Sequence, residues 1–236
     1  MKNILYLFLF LVLLLFSCKN INSQIIEDVG VAQFQLLVNN HKGIIIDVRT
    51  PQEFSSGHIK DATNINFYAD EFMDKLKILR KDIPIYVYCR SGGRSSAAAN
   101  KMEELGFTKV YNLIGGVGAW KSANNVMIKS EISKKVNHPT FSFLDIQNIL
   151  HDHKLVLIDF NTQWCVPCIK MKSVIEEIQK EKPTLEVLYI DADVNKELIK
   201  RYQIKGVPTF MIFNNNQEVF RHVGMISKLD LLAELY

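Results

Sequence analysis

Four cysteines in 236 residues are too few for a fold built on disulfides. Charge of one sign is equally scarce. The chain carries 28 Lys and Arg against 25 Asp and Glu, a net +3, which leaves no electrostatic footprint for nucleic acid. The nearest basic cluster, Lys134-Lys135, reads as a solvated linker. No internal repeat or low-complexity tract is visible. The one extended apolar run, Ile4 to Phe16, is too short for a comfortable membrane span. Zinc needs four ligands, and no second Cys or His pair stands at a suitable spacing from Cys165 and Cys168. No metal or cofactor is therefore expected.

What is present is concentrated in those few cysteines. Lys2, the apolar run and Ser17 before Cys18 have the form of a removable export leader. Leu15-Phe16-Ser17-Cys18 resembles the lipobox of bacterial lipoproteins, which implies a lipid on Cys18 and a place on the periplasmic face of a membrane. Phe16 is bulkier than the usual residue there, and ordinary cleavage near Ser17 or Ser23 is the alternative. The expected organisation is a leader over 1–17, a tether over 18–24, a domain over 25–128, a linker over 129–139 and a second domain over 140–236. Two domains of roughly a hundred residues suit this length.

In the first half, Gly43 to Val48 and Ile83 to Tyr88 read as buried strands, and Ser95 to Leu105 as a helix stopped by Gly106. Lys109 to Leu113 is a further short strand. Alternation of this kind predicts a parallel α/β sheet, whose reactive groups lie at the carboxyl ends of strands. Cys89 falls at such an end and opens Cys89-Arg90-Ser91-Gly92-Gly93-Arg94-Ser95. Gly92 and Gly93 allow the backbone N–H groups to curl into an anion nest. The dipole of the following helix and the charges of Arg90 and Arg94 add to it, so a lowered Cys89 pKa is expected.

This half resembles the rhodanese family. The residues that carry the likeness are Asp47-Val48-Arg49-Thr50-Pro51-Gln52-Glu53-Phe54, Gly57-His58-Ile59, Ala62, Asn64-Ile65, the Cys89 to Ser95 loop, and Gly115-Gly116-Val117-Gly118-Ala119-Trp120. The resemblance implies a persulfide on Cys89, taken from a donor such as thiosulfate and cradled by Arg90, Ser91, Gly92, Gly93, Arg94 and Ser95. The six-residue loop closed by Arg94 (Cys89 to Arg94), one shorter than in the related phosphatases, favours sulfur over phosphate. Asp61 replaces a usual glycine, a departure expected to be minor and on the surface side. Asp47, Arg49, Glu53 and His58 are expected to brace the site, and Trp120 to lie in the core.

In the second half, Phe141 to His151 has helical apolar spacing, Leu155 to Phe160 is strand-like, and Trp164-Cys165-Val166-Pro167-Cys168 opens a helix to about Lys180. A strand over 185–190, a short helix over 196–202, a hairpin turning at Asn214-Asn215-Asn216-Gln217 and a helix capped by Ser227 follow. A Cys-x-x-Cys at a helix start places the first thiol on the N–H groups of that helix and the second within reach of a mixed disulfide.

This half resembles the thioredoxin family. By that likeness Cys165 attacks, Cys168 resolves by closing the redox disulfide, and Asp159 is a buried carboxylate assisting Cys168. The alternative for Asp159 is a solvent-facing residue at a strand end. Gly206-Val207-Pro208-Thr209 matches the cis-proline segment, and Gly224 the glycine after the last strand. Trp164, Val207 and Pro208 are implied to touch substrate, with the Val207 backbone left free to pair with a substrate strand. Val166 departs from the glycine of cytosolic thioredoxins, which leaves the redox potential open; the retained Pro167 leans toward a reductant.

The combined expectation is an α/β, exported, two-domain thiol-redox and sulfur-transfer enzyme. Its partners would be a sulfane-sulfur donor, thiol or disulfide substrates, an electron donor outside the cytoplasm and a membrane, with no nucleic acid. The alternatives are a protein-disulfide reductase or isomerase whose first half is a docking module, and a first half that only binds.

Overall fold

Residues 25–129 and 139–236 are described by a computed structural model. The expected leader, Cys18, the tether and linker residues 130–138 lie outside the described residues.

The first half follows the order β1 (Ile26–Val29), α1 (Val31–Asn39), β2 (Ile44–Asp47), α2 (Pro51–Ser55), β3 (Ala62–Asn64), α3 (Phe72–Lys77), β4 (Ile85–Tyr88), α4 (Gly93–Glu104), β5 (Val110–Leu113) and α5 (Gly116–Ser122). The strands pair in the order β1-β5-β4-β2-β3, and every pairing is parallel. β2 and β4 are buried at every residue, as continuous Ile-, Val- and Tyr-rich strands covered on both faces should be. Alternate residues feed two cores. Ile46 and Val87 pack with Ala98 and Met102 of α4 on one face. Tyr86 and Tyr88 pack with Phe34 of α1 and Trp120 of α5 on the other. Helix α4 starts at Gly93, two residues before the expected Ser95, because Gly92 supplies the left-handed entry (φ 108°) as N-cap.

The second half runs α6 (Phe143–Asp152), β6 (Leu155–Asn161), α7 (Val166–Glu181), β7 (Glu186–Asp191), α8 (Lys196–Arg201), β8 (Thr209–Asn214), β9 (Gln217–Val223) and α9 (Lys228–Ala233). Its sheet has the order β7-β6-β8-β9, with β6 parallel to β7 and the other pairings antiparallel. Successive residues of β6 face opposite cores: Ile158 lies with Ile146 and Phe160, and Leu157 with Ile175 and Phe210. The β8–β9 hairpin turns on Asn215 and Asn216, both at positive φ (49° and 64°), where Asn is tolerated. Ser142 and Asp145 form a reciprocal capping box for α6, and Ser227 caps α9.

The two halves touch. The Val166 N–H donates to Thr63 Oγ1 at 3.2 Å, Lys170 pairs with Asp61 at 2.9 Å, and the Lys75 ammonium lies 5.5 Å from the centre of the Trp164 ring. Asp61, expected to be a minor surface departure, is therefore a domain contact. It also adopts the left-handed backbone (φ 64°), the conformation glycine would hold there without strain.

Candidate functional site

Cys89 follows β4 directly and precedes α4, so its sulfur meets the N–H groups of a turn and a helix start. The Gly92 N–H donates to Sγ at 3.1 Å, and the Ser95 hydroxyl lies 3.5 Å away. Cys89 is a free thiol, 1 % exposed. Burial alone would push its pKa up. The Ser95 hydroxyl and the N–H groups of Ser95, Ser91 and Gly92 outweigh burial and hold the thiol below its ordinary value. The donors that do this are backbone and hydroxyl groups rather than guanidinium groups. Arg90 is exposed. Arg94 is turned to Glu53, with Nη1–Oε2 at 2.7 Å and Nη2–Oε1 at 2.8 Å. Hydrogen bonding to Arg94 is the main reason the Glu53 carboxyl falls to about 2. The positive contribution expected of Arg94 is thus largely neutralised by a bidentate partner.

The remaining bracing residues tie together the segment after β2, and the Arg49 guanidinium lies 5.8 Å from the ring centre of Tyr88, the residue before Cys89. Asp47 and Arg49 form a buried pair, Nη2–Oδ2 2.6 Å, and the same Nη2 donates to the Gly57 carbonyl at 2.7 Å. Asn64 Nδ2 donates to the Asp47 and Arg49 carbonyls. His58 stacks on Phe54 with ring centres 3.7 Å apart, and burial lowers its pKa, so it serves as a neutral scaffold group. Helix α5 closes the other side. The Val117 and Gly118 N–H groups donate to the Cys89 and Arg90 carbonyls at 2.9 and 3.0 Å. A side chain at Gly116 would run into the Cys89 carbonyl, so the glycine pair of that helix start is a loop support. The sequence places Tyr88 in a buried strand but gives no sign of its polar role: its hydroxyl accepts from the Ile59 N–H at 3.0 Å.

The second sulfur centre is built the same way. Cys165 is the N-cap of α7, and its sulfur accepts from the Cys168 N–H at 3.3 Å. Cys165 and Cys168 form a disulfide with Cα atoms 5.2 Å apart. Val207–Pro208 is cis, and Val207 packs beside both cysteines. Trp164 Nε1 donates to Asp193 at 2.6 Å. Asp159 is 1 % exposed, which removes the solvent-facing alternative. Its Oδ2 accepts from Asn161 Nδ2, and its Oδ1 has no hydrogen-bond partner among the described residues. Burial raises its pKa to about 7. A carboxyl poised near neutrality can exchange a proton during dithiol chemistry.

One expectation is overturned here. The Val207 N–H is not free for a substrate strand; it donates to the Ile78 carbonyl of the first half at 3.1 Å. Ile78 itself packs against Cys165, Cys168 and Val207. Neither Ile78 nor Thr63 carries a motif, so only the docked domains reveal them.

With this geometry in view, the comparisons with known proteins are direct. A family model described as "Rhodanese-like domain" matches residues 31–123, and one described as "Thioredoxin" matches 135–236. Thioredoxin of Mycobacterium tuberculosis is 38% identical over 110 residues, which cover 46% of this chain and 93% of that protein. The chain belongs to the thioredoxin family. Its thioredoxin domain is preceded by a rhodanese-like domain. An uncharacterized protein of Bacillus subtilis, YqhL, is 40% identical over 79 residues that cover 34% of this chain and 61% of that protein. A rhodanese-related protein structure from Thermoplasma volcanium is 30% identical and covers 44% of this chain and 99% of its own (TM-score 0.39).

Two outcomes follow from the charges. Ser95→Ala removes the largest contribution holding the Cys89 thiol down, so the midpoint of a pH–alkylation profile of Cys89 moves upward; an unmoved midpoint refutes this role. For Asp159, the unfolded chain gives up its proton near pH 4 while the folded chain keeps it to about 7, so stability falls as pH rises across that window. Asp159→Asn removes that slope and adds on the order of 2 kcal/mol at pH 8, read by denaturant titration of the disulfide form.

Proposed function

We propose that this protein transfers and then reduces sulfane sulfur outside the cytoplasm. The observation that carries the reading is the pairing of a nested, low-pKa thiol at Cys89 with a second thiol centre that closes as a disulfide, on domains that touch. The enclosed Cys89 sulfur, ringed by N–H donors, suits a small anionic donor such as thiosulfate. The Cys89 thiolate attacks the outer sulfur of thiosulfate, forming a persulfide and releasing sulfite. The Cys165 thiolate then takes the terminal sulfur, returning Cys89 to thiolate. Cys168 attacks Cys165, expels hydrosulfide and closes the disulfide. Two electrons from an extracytoplasmic dithiol reductant reset the pair. Arg90, Ser91 and Gly93, the exposed residues of the loop, are assigned to the entering anion. The leader and a lipid on Cys18 would keep the protein at the periplasmic side of a membrane.

A second reading is favoured by the Val207–Ile78 hydrogen bond. In it the thioredoxin domain acts on protein disulfides and the rhodanese-like domain serves as a docking module.

Intact-mass analysis after exposure to thiosulfate separates the two. The first reading predicts one added sulfur, lost in Cys89→Ser, that persists while Cys165 and Cys168 are oxidised and leaves as sulfide once they are reduced. Absence of any adduct in either redox state contradicts it.

A further inference from the structure

Helix α3 ends at Lys77, and the chain turns out of it through Ile78, its C-cap (φ −95°, ψ 7°), with the Leu79 N–H bonded back to the Leu76 carbonyl at 3.2 Å. Leu79 is 1 % exposed and rooted in the first core with Leu76. That anchor turns Ile78 outward, into an apolar cluster with Cys165, Cys168, Ala192 and Val207, edged by Trp164 and Ile199. The Ile78 carbonyl takes the Val207 N–H at 3.1 Å, a main-chain bond that fixes this turn against the cis-proline segment. Arg80 lies along a floor of two glycines. A Cβ at Gly206 would stand 2.7 Å from Arg80 Cγ, and one at Gly224 would collide with the guanidinium. The Lys170–Asp61 pair and the Val166–Thr63 bond fasten the dithiol helix on the other flank. The result is a Cys165 only 1 % exposed. A sulfur centre that must meet partners is closed by its own chain.

We propose that Ile78-Leu79-Arg80 is a tethered occupant of the thioredoxin groove. It excludes protein disulfides until the domains part. The partners that displace it present a turn with an aliphatic side chain beside the dithiol, a carbonyl for Val207 and a basic residue two positions on. This deepens the thiol–disulfide part of the proposed function and names its substrate class. It needs neither Cys89 nor a persulfide.

The test compares reduction of insulin, driven by dithiothreitol, by the whole chain and by two variants. Ile78→Asp places a charge in the apolar cluster and drives the segment out. Lys170→Glu opposes Asp61 at a half-exposed pair remote from either core. Because activity scales with the open fraction, Ile78→Asp should raise kcat/KM for insulin on the order of tenfold, and Lys170→Glu about threefold. A synthetic peptide of residues 75–82 should inhibit Ile78→Asp and leave the parent chain little affected, since the parent already holds that segment at high effective concentration. Should Ile78→Asp lose its circular dichroism signal, Lys170→Glu decides alone. Equal rates in the folded variants and the parent overturn the proposal, as does insulin reduction by none of the three. All arms run equally in a Cys89→Ser background, so a failed sulfur adduct and a failed groove occupant are separate results.

Discussion

Both sulfur centres depend on one arrangement: a buried strand ends, the chain turns, and a helix begins with its N–H groups aimed at a cysteine. β4, Cys89 and α4 make the first such junction, and β6, Cys165 and α7 the second. The arrangement stabilises sulfur anions with fixed dipoles, which cost little reorganisation when charge appears. The surrounding structure keeps both cysteines buried. Around Cys89 this falls to the Glu53–Arg94 pair and to the start of α5, whose N–H groups bond the Cys89 and Arg90 carbonyls. Around Cys165 it falls to the cis-proline segment and, across the domain boundary, to Ile78.

Burial of so many polar groups sets the chemistry as much as the cysteines do. Arg49 is costly to bury and is held by Asp47 and a backbone carbonyl, so it braces rather than reacts. Arg94 is likewise spent on Glu53. Asp159 lacks a compensating cation at hydrogen-bond distance among the described residues, and its raised pKa follows from burial. One carboxyl is thus held near 2 and another near 7 in the same chain. A charged hydrogen-bond partner makes the first, and its want makes the second.

Much of this was legible in the sequence, because local signals carry it. The cysteine loop, the Cys-x-x-Cys at a helix start, the continuous apolar strands β2, β4 and β6, and the Asn turn of the last hairpin are all short-range patterns. The elements that escaped are short or set by distant contacts. β3 has three residues, and α3 six; neither shows a period long enough to read. The partner of Arg94 lies 41 residues away, and the partner of Val207 lies in the other domain. Asp61 looked like a neutral departure because sequence shows neither its left-handed backbone nor Lys170 opposite it.

The central claim is that the chain's own first domain closes the thioredoxin groove. The amides of Val207 and Val166 report on it most directly, since each donates across the domain boundary, to Ile78 and Thr63. Hydrogen exchange of these two amides, measured by NMR on the disulfide form of the whole chain, is the deciding measurement. The account predicts that both are protected and that they open together, at a free energy below that of either core. Exchange of both at the rate of an unstructured peptide, with the cores still protected, would contradict it.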